Sequence, residues 1–280
     1  MRQIISFDFD GVLVKSPFGY RVLFPLIQQL AEAHARSAGV PLEQSQKRAR
    51  DLAWAEFRRR TASGEYLEAY NWEEIIHVVA RELGGRLERS VNEMNLEVAR
   101  ELERTGDRSL VYPHAHEILE ALARRGACLL LLTNGFRCYQ LPMAEALGLA
   151  PFFHAILASD DLGSVKPFRE AFERAYARCG RRPGEPTYHV GDTLKQDVLG
   201  AHLVGARAVW IHRDLPDGIR RLPPLERPGA PELRELLRGK AAREEANPPG
   251  AEGAESTEEL LLPDAVIASL EELKLAIPAG

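Results

Sequence analysis

Two aspartates placed two residues apart follow an apolar run near the start of the chain. Residues 3–7 are largely apolar, and Asp8, Asp10 and Gly11 come directly after them. Side chains at positions i and i+2 of an extended strand lie on the same side, so the two carboxylates should lie close together. Carboxylates this close repel each other unless a cation or a shared proton lies between them. The pattern therefore indicates a metal site or an acid–base pair, and Gly11 permits a tight turn after it.

Three further segments place polar residues where an α/β protein binds ligands. They are Thr133 and Asn134 after the apolar residues 127–132, Lys166 before Pro167 at the start of a predicted helix, and Asp192 and Asp197 after the short predicted strand 187–191. An unbroken apolar run such as 127–132 is typical of a parallel strand covered on both faces. Ligands of such sheets bind outside the carboxyl ends of the strands, so these residues are candidates for one site.

Taken one at a time, these residues have structural interpretations that require no active site. Thr133 is suited to cap a turn, Asp192 to cap the following helix, and Asp197 to stand exposed on that helix. Lys166 at a helix start would ordinarily be solvated, even though a cation there opposes the helix dipole. It is their joint occurrence in order that favours a catalytic function.

The ordered set of two acids, a hydroxyl, a lysine and two further acids resembles the haloacid dehalogenase-like hydrolase superfamily. All four of its motifs lie in order between Asp8 and Asp197. The resemblance implies an α/β fold with a doubly wound, Rossmann-like parallel sheet, and short apolar runs do alternate with helical segments from residue 112 onward. It also implies that residues 16–108 form an inserted helical cap domain. Helical spacing predicts four helices there, at 22–37, 42–62, 72–83 and 87–102, and another at 141–147. The predicted catalytic core is then residues 1–15 and 109–280.

The resemblance implies phosphoryl transfer through a phosphorylated aspartate. Asp8 would be the nucleophile, and Asp10 would protonate the leaving oxygen and later take a proton from water. The implied cofactor is Mg²⁺, held by Asp8, the backbone carbonyl of Asp10, and Asp192.

Other residues of the motifs would bind the phosphoryl group and hold the site together. By the same resemblance, Thr133, the backbone amide of Asn134, and Lys166 would meet the charge on the transferred group. Asp197 would orient Lys166, or it would contact the metal ligands without binding the metal itself.

Asp10 also separates the reactions of this superfamily, since its dehalogenases generally lack an acid at that position. We therefore expect a phosphatase that hydrolyses a small phosphorylated metabolite. A phosphomutase of the same superfamily and a non-catalytic binding protein that retains the fold are the alternatives. Several aromatic and basic residues of the predicted cap are expected to pack between helices or lie at the surface rather than contact substrate: Tyr20, Arg21, Tyr66, Tyr70 and Trp72.

The composition of the chain favours a folded protein and argues against nucleic-acid-binding and membrane-spanning classes. A chain of 280 residues with 45% hydrophobic content can bury a full core. With a net charge of −5, the chain lacks the excess positive charge that is typical of nucleic-acid-binding proteins. No signal peptide is expected, and no apolar run is long enough to cross a bilayer. We expect a cytoplasmic protein with neither nucleic-acid nor membrane partners, and no sequence pattern specifies an oligomeric state.

Two further expectations concern the cysteines and the region after the last motif. The three cysteines suggest no disulfide framework, and Cys128 is expected to be a small core residue. Residues 214–263 are rich in proline, glycine and charge, with one predicted helix at 231–245. We expect a dispensable surface insertion in which residues 247–257 are disordered.

Overall fold

A single parallel sheet forms the centre of the molecule. The computed structural model describes residues 2–244 and 259–278. Six strands in these ranges join the sheet: β1 (Ile4–Phe7), β2 (Cys128–Leu132), β3 (Ala155–Leu157), β4 (Thr187–Gly191), β5 (Arg207–Ile211) and β6 (Ala265–Ile267). Their spatial order is β3-β2-β1-β4-β5-β6, and every pair is parallel.

The strand order reverses at β1, and this reversal creates the switch point at which such sheets bind ligands. Phe7 at the end of β1 pairs in register with Leu131 of β2 and with Val190 of β4. The residues that follow these three strands therefore emerge side by side at one edge. The predicted doubly wound α/β fold is confirmed.

Alternate residues of the central strands face two separate cores. Ile5 and Phe7 belong to the core on one face of the sheet, and Ile4 belongs to the core on the other. In β2, Leu129 and Leu130 divide in the same way. Because both faces are buried, these strands have continuous apolar sequences rather than alternating ones.

Helices cover the sheet and follow most of its strands. They are α1 (Phe24–Ala38), α2 (Leu42–Ala62), α3 (Trp72–Glu82), α4 (Val91–Thr105), α5 (Ala115–Arg124), α6 (Arg137–Ala146), α7 (Ser159–Leu162), α8 (Arg169–Ala177), α9 (Leu199–Leu203), α10 (Asp217–Arg220), α11 (Pro231–Arg243) and α12 (Leu273–Ala276). One π-helical segment, Gly19–Leu23, precedes α1, and another, Leu194–Val198, precedes α9. None of the helices in the described ranges has the length and apolar character needed to cross a membrane.

The segment 16–108 contains α1 to α4, as the sequence predicts. α2 packs against both α1 and α3, and α4 packs against α6 of the sheet region. α4 begins at Val91 rather than at the predicted residue 87, because Ser90 and Glu93 form a reciprocal capping box. The division of the chain into a core and a cap domain stays a prediction.

The expectation of a solvated surface loop after residue 213 is wrong for the part of it that the structure describes. Leu233 and Leu237 of α11 are buried in one of the two cores. Arg227 is also buried, and its guanidinium donates two hydrogen bonds to the carboxylate of Glu272. The helix itself was predicted at 231–245, but the prolines and charges of this region gave no sign that its leucines are buried in a core. The disorder predicted for residues 247–257 lies outside the described residues.

Cys128 is buried in a core, as expected, but the expectation that the cysteines form no disulfide is wrong. Cys128 at the start of β2 forms a disulfide with Cys179, just after α8, with the two Cα atoms 6.2 Å apart. Cys138 is a free cysteine. The two partners are 51 residues apart in sequence, so their proximity results from packing of α8 on β2, which the cysteine count could not indicate.

Candidate active site

Five of the seven predicted site residues line one cavity at the carboxyl end of the sheet. They are Asp8, Asp10, Thr133, Asn134 and Lys166. Asp8 directly follows β1, and its N–H still pairs with the carbonyl of Val190 in β4 at 2.9 Å. Asp192 follows β4 at the same edge, and Asp197 lies one helical turn beyond it. The structure thus brings all seven predicted residues to one place.

Lys166 joins two of the acids. Its Nζ lies 2.7 Å from Oδ1 of Asp8 and 2.7 Å from Oδ1 of Asp197, and the lysine is almost fully buried. Burial alone would lower the pKa of Lys166, but Asp197 and Asp8 raise it above its ordinary value. Lys166 is therefore a fixed cation beside Asp8, contrary to the interpretation as a solvated helix-start residue.

Asp197 is buried and has a full set of hydrogen-bond donors. Oδ1 accepts from Lys166 and contacts Nε2 of His189 at 3.0 Å, while Oδ2 accepts from the N–H and hydroxyl of Thr193 at 3.0 and 2.6 Å. Burial would raise the pKa of Asp197, but Lys166 and His189 hold it well below its usual range. Burial in turn lowers the pKa of His189, against the effect of Asp197. Asp197 is thus an anion that positions Lys166.

Asp10 has a different environment. Gln140 of α6 donates to its Oδ2 at 3.1 Å, and its Oδ1 is buried without a hydrogen bond of normal geometry to any described residue. Burial raises the pKa of Asp10 to about 6, against the opposing hydrogen bond from Gln140. A carboxyl group with this pKa can hold or release a proton near neutral pH.

Thr133 and Asn134 form a polar turn after β2. The hydroxyl of Thr133 accepts from the N–H of Gly135 at 3.1 Å, as expected of a turn cap. The side chain of Asn134 brackets the backbone of Lys166, accepting from its N–H at 2.7 Å and donating to its carbonyl at 3.1 Å. This side chain therefore fixes the loop from which Lys166 extends towards Asp8.

The carboxylates fit a divalent cation. One oxygen each from Asp8, Asp192 and Asp197 lies within 4.8 Å of the others. Burial raises the pKa of Asp8, and the neighbouring carboxylates Asp197 and Asp192 raise it further, although Lys166 lowers it. Burial and Asp197 likewise raise the pKa of Asp192. A cation between Asp8 and Asp192 would relieve this repulsion. Since the oxygens of Asp197 are already engaged, Asp8 and Asp192 are the pair with ligand atoms to offer, and their hard oxygens suit Mg²⁺.

Gly11 is required by this arrangement for two reasons. Its φ of +82° is in the left-handed region, which residues other than glycine rarely adopt. A Cβ atom at this position would also collide with the carboxylate of Asp192. The turn after Asp10 can therefore approach Asp192 closely only if residue 11 is glycine.

The part of the chain that contains the four motifs matches a known protein family. Residues 3–205, more than half of the chain, match the sequence profile of the haloacid dehalogenase-like hydrolases. The chain belongs to this family. The resemblance seen in the sequence is confirmed.

The curated relatives of this hydrolase include named phosphatases. Phosphoserine phosphatase of Thermus thermophilus is 37% identical over 143 residues, covering 51% of this chain and 55% of that protein. Pyrimidine 5′-nucleotidase YjjG of Escherichia coli is 33% identical over 110 residues, covering 38% and 48%. The chain spans about half the length of the curated relatives it matches.

Solved structures share the fold of the hydrolase over nearly its whole length. The phosphatase of the same family from Thermococcus onnurineus has a TM-score of 0.63 at 22% identity, covering 100% of this chain and 99% of that one. L-2-haloacid dehalogenase from Xanthobacter autotrophicus has a TM-score of 0.54 at 21% identity, covering 98% and 97%. At these identities the likeness shows the fold alone, and enzymes of both kinds have it.

Several residues that line or support the candidate site were not predicted from the sequence. Gln140 contacts Asp10, and Glu244 at the end of α11 accepts hydrogen bonds from the N–H groups of Leu194 and Lys195 at 2.9 and 2.8 Å. No local signal marks either residue, because the contact of Gln140 with Asp10 and that of Glu244 with Leu194 and Lys195 each join residues far apart in the sequence. Tyr70 and Trp72, which the sequence assigned to packing, line the cavity.

Proposed function

We propose that this chain is a magnesium-dependent phosphomonoesterase that acts on a small phosphorylated metabolite through an aspartyl-phosphate at Asp8. The observation that carries the proposal is the second carboxyl, that of the half-buried Asp10, in the same cavity as the Asp8–Lys166 pair. A halide leaves without a proton, whereas an alkoxide needs one, so this acid favours a phosphate ester over a haloacid. The names of the phosphoserine phosphatase and nucleotidase relatives support the same class of substrate.

In the first step, an oxygen of Asp8 attacks phosphorus while the bond from phosphorus to the leaving oxygen breaks. Asp10 gives its proton to that leaving oxygen, which departs as an alcohol. A raised pKa of about 6 allows Asp10 to hold this proton in part of the population near neutral pH. In the second step, water attacks the phosphoryl group, Asp10 takes a proton from the water, and the bond from phosphorus to Asp8 breaks.

Fixed positive charge offsets the repulsion between Asp8 and an anionic substrate. Lys166, held by Asp197, supplies one charge 2.7 Å from Asp8. Mg²⁺, when bound by Asp8, the backbone carbonyl of Asp10 and Asp192, would supply a second. The hydroxyl of Thr133 and the N–H of Asn134 are suited to donate to the remaining phosphoryl oxygens.

The test is hydrolysis of para-nitrophenyl phosphate by the purified protein. We expect turnover with added Mg²⁺, loss of turnover with excess chelator, and poor replacement by Ca²⁺, whose larger and looser coordination suits the site less well. Isothermal titration of the metal-free protein with Mg²⁺ gives an independent readout, since Asp192→Asn should weaken binding.

The Asp8→Asn variant tests the nucleophile. It should lose turnover and should not retain label when the reaction with a ³²P-labelled ester is quenched in acid, while the parent protein should carry label on the peptide that contains Asp8. Asp51→Asn, at an exposed position of α2, is the matched control and should behave as the parent. Substantial turnover by folded Asp8→Asn, or full activity in exhaustively chelated protein, would overturn the proposal.

A further inference from the structure

The cavity at Asp8 continues into a region with aromatic walls. Its volume is about 420 Å³. The segment 16–108 contributes six aromatic residues to its lining: Phe18, Phe24, Trp54, Phe57, Tyr70 and Trp72. A phosphate group is bound by polar and charged groups and needs no aromatic surface. The aromatic lining is therefore suited to the part of the substrate that is attached to the phosphate.

Three of these rings form one continuous surface. The ring of Trp54 meets those of Phe57 and Trp72 edge-on, with centroids 5.8 and 5.6 Å apart, and Phe57 and Trp72 lie nearly parallel at 6.1 Å. Because the rings pack on one another, they leave no cage between them for a cation. Trp54 is nevertheless 40% exposed and Phe24 46% exposed, so apolar ring surface remains open to a ligand.

The aromatic wall is connected to the catalytic end of the cavity. The hydroxyl of Tyr70 accepts a hydrogen bond from the side chain of Asn134 at 3.0 Å and another from Gln196 at 3.3 Å. Asn134 in turn fixes the backbone of Lys166. A group attached to the phosphate would therefore extend from Asp8 towards these rings.

The cavity has little free positive charge for a second anionic group. Among the described residues that line it, the cations are Lys166 and Lys195, and none is an arginine. Lys166 is engaged by two carboxylates, and Nζ of Lys195 donates to the carbonyl of Glu244 at 3.1 Å. The carboxylate of Glu244 adds negative charge to the same lining.

We propose that the alcohol part of the substrate carries a flat, uncharged ring, such as a nucleobase or an aryl group, that stacks on the wall formed by Trp54, Phe57 and Trp72. Substrates whose alcohol part bears a further carboxylate or phosphate are disfavoured. This inference rests on the proposed phosphomonoesterase function and specifies its substrate class.

The experiment compares two esters with the same leaving group. Uridine 5′-monophosphate and ribose 5-phosphate both release a primary alcohol of ribose, and they differ in the base. Stacking of a base on aromatic side chains predicts a kcat/KM about tenfold or more higher for the nucleotide. Phosphoserine, with its added carboxylate and ammonium, should have a lower kcat/KM than the nucleotide.

Variants locate the effect on the wall. Trp54→Ala and Trp72→Ala, at two wall positions that are not fully buried, should each lower the ratio of kcat/KM for the nucleotide to that for ribose 5-phosphate, Trp54→Ala by about tenfold. Leu42→Ala is the matched control, since Leu42 is 43% exposed on the same helix as Trp54 and lies outside the cavity lining. It should leave the ratio unchanged.

The outcomes separate this inference from the function on which it rests. Equal kcat/KM for uridine 5′-monophosphate and ribose 5-phosphate, or preference for phosphoserine, would overturn the inference while the phosphatase function stands. An unchanged ratio in both folded aromatic variants would also overturn it. Failure to hydrolyse every one of these esters and para-nitrophenyl phosphate as well would reject the function itself, and the inference with it.

Discussion

The two oxygens of Asp10 have different surroundings, and this difference assigns them different tasks. Oδ2 is held by Gln140, while Oδ1 makes no hydrogen bond of normal geometry to any described residue and is buried. A buried acceptor without a partner is costly unless a ligand or a proton completes it. The proposed proton transfer to and from the leaving oxygen gives Oδ1 such a role.

The first prediction concerns Asp10→Asn. This variant keeps the shape of the side chain and removes the transferable proton, so turnover of an alkyl phosphate should fall by about a hundred- to ten-thousandfold. Para-nitrophenyl phosphate should lose less, because its leaving oxygen is stable as an anion. Steady-state kinetics with both esters measure this, with Asp51→Asn as the control. Equal losses for the two esters would contradict an acid role for Asp10.

Residues at a strand end were predictable from the sequence, and Lys166 and Asp197 were predicted through the family resemblance, whereas the supporting residues were not. Asp8, Thr133 and Asp192 each follow a strand directly, so the parallel register alone places them together. Gln140 and Glu244 are set by the docking of α6 and α11, which no local pattern specifies. His189 was overlooked for another reason, since a histidine in a buried strand gives no signal of the acid that it contacts.

α11 reaches the active site through its last turn. The carboxylate of Glu244 accepts hydrogen bonds from the N–H groups of Leu194 and Lys195, which open the helical segment after Asp192. Lys240, one turn earlier on the same helix, lies close enough to lower the pKa of Asp192, although burial and Asp197 raise it. The region expected to be dispensable thus supports a proposed metal ligand.

The second prediction concerns Glu244→Ala. Two backbone N–H groups would lose their acceptor, so the free energy of unfolding should fall by about 1–3 kcal/mol. The Mg²⁺ concentration needed for half-maximal activity should rise, because the loop that carries Asp192 is less well held. Denaturant titration and metal titration measure the two effects. Glu235→Ala, exposed on the same helix, is the control, and identical behaviour of the two variants would contradict the role of Glu244.

A histidine–aspartate pair joins α9 to the segment before β6. Nε2 of His202 lies 2.9 Å from Oδ2 of Asp264, and Nδ1 lies 2.8 Å from the carbonyl of Leu260. Both partners are acceptors, so the protonated imidazolium satisfies both bonds. Burial would lower the pKa of His202, but Asp264 and the carbonyl raise it above its ordinary value.

The third prediction follows from the sign of this shift. A histidine with a raised pKa in the folded state stabilises fully below its unfolded pKa of about 6.5, and the contribution is lost as pH rises through the folded pKa. His202→Asn should therefore destabilise more at pH 5.5 than at pH 9, by about 0.5–1 kcal/mol for this partly exposed pair. His77→Asn, at an exposed position of α3, is the control. A pH-independent difference in denaturation midpoint would show that the pKa of His202 is the same in the folded and unfolded states, and would contradict the prediction.

Helix boundaries were predictable where helix-breaking residues flank the helix, as Pro41 does before α2 and Gly84 does after α3. α2 has the predicted bounds, and α3 differs by one residue. α6 begins at Arg137, four residues before its predicted start, and contains Pro142 at an interior position, which proline ordinarily disfavours. The π-helical segments before α1 and α9 were not predicted, since they depend on hydrogen-bond register that periodicity does not resolve.

The disulfide is a property of the whole chain, because it joins two elements that only the complete fold brings together. The fourth prediction is that denatured, unreduced protein exposes one thiol, that of Cys138, and that reduction raises the number to three. Replacing both Cys128 and Cys179 by alanine should lower the free energy of unfolding by about 2–4 kcal/mol, since the unfolded chain loses a covalent constraint. Cys138→Ala is the control. Three reactive thiols in the unreduced, denatured protein would contradict the bond.

The same bond encloses much of the proposed phosphate site. Thr133, Asn134 and Lys166 all lie between Cys128 and Cys179 in the sequence. A protease that cuts once inside this stretch, for example at the exposed Gly163 after α7, would leave the two fragments joined through sulfur. The nicked enzyme would run as one species without reductant and as two with it. The polypeptide could thus be broken between two of the proposed phosphate-binding residues and still hold both at the same edge of the sheet.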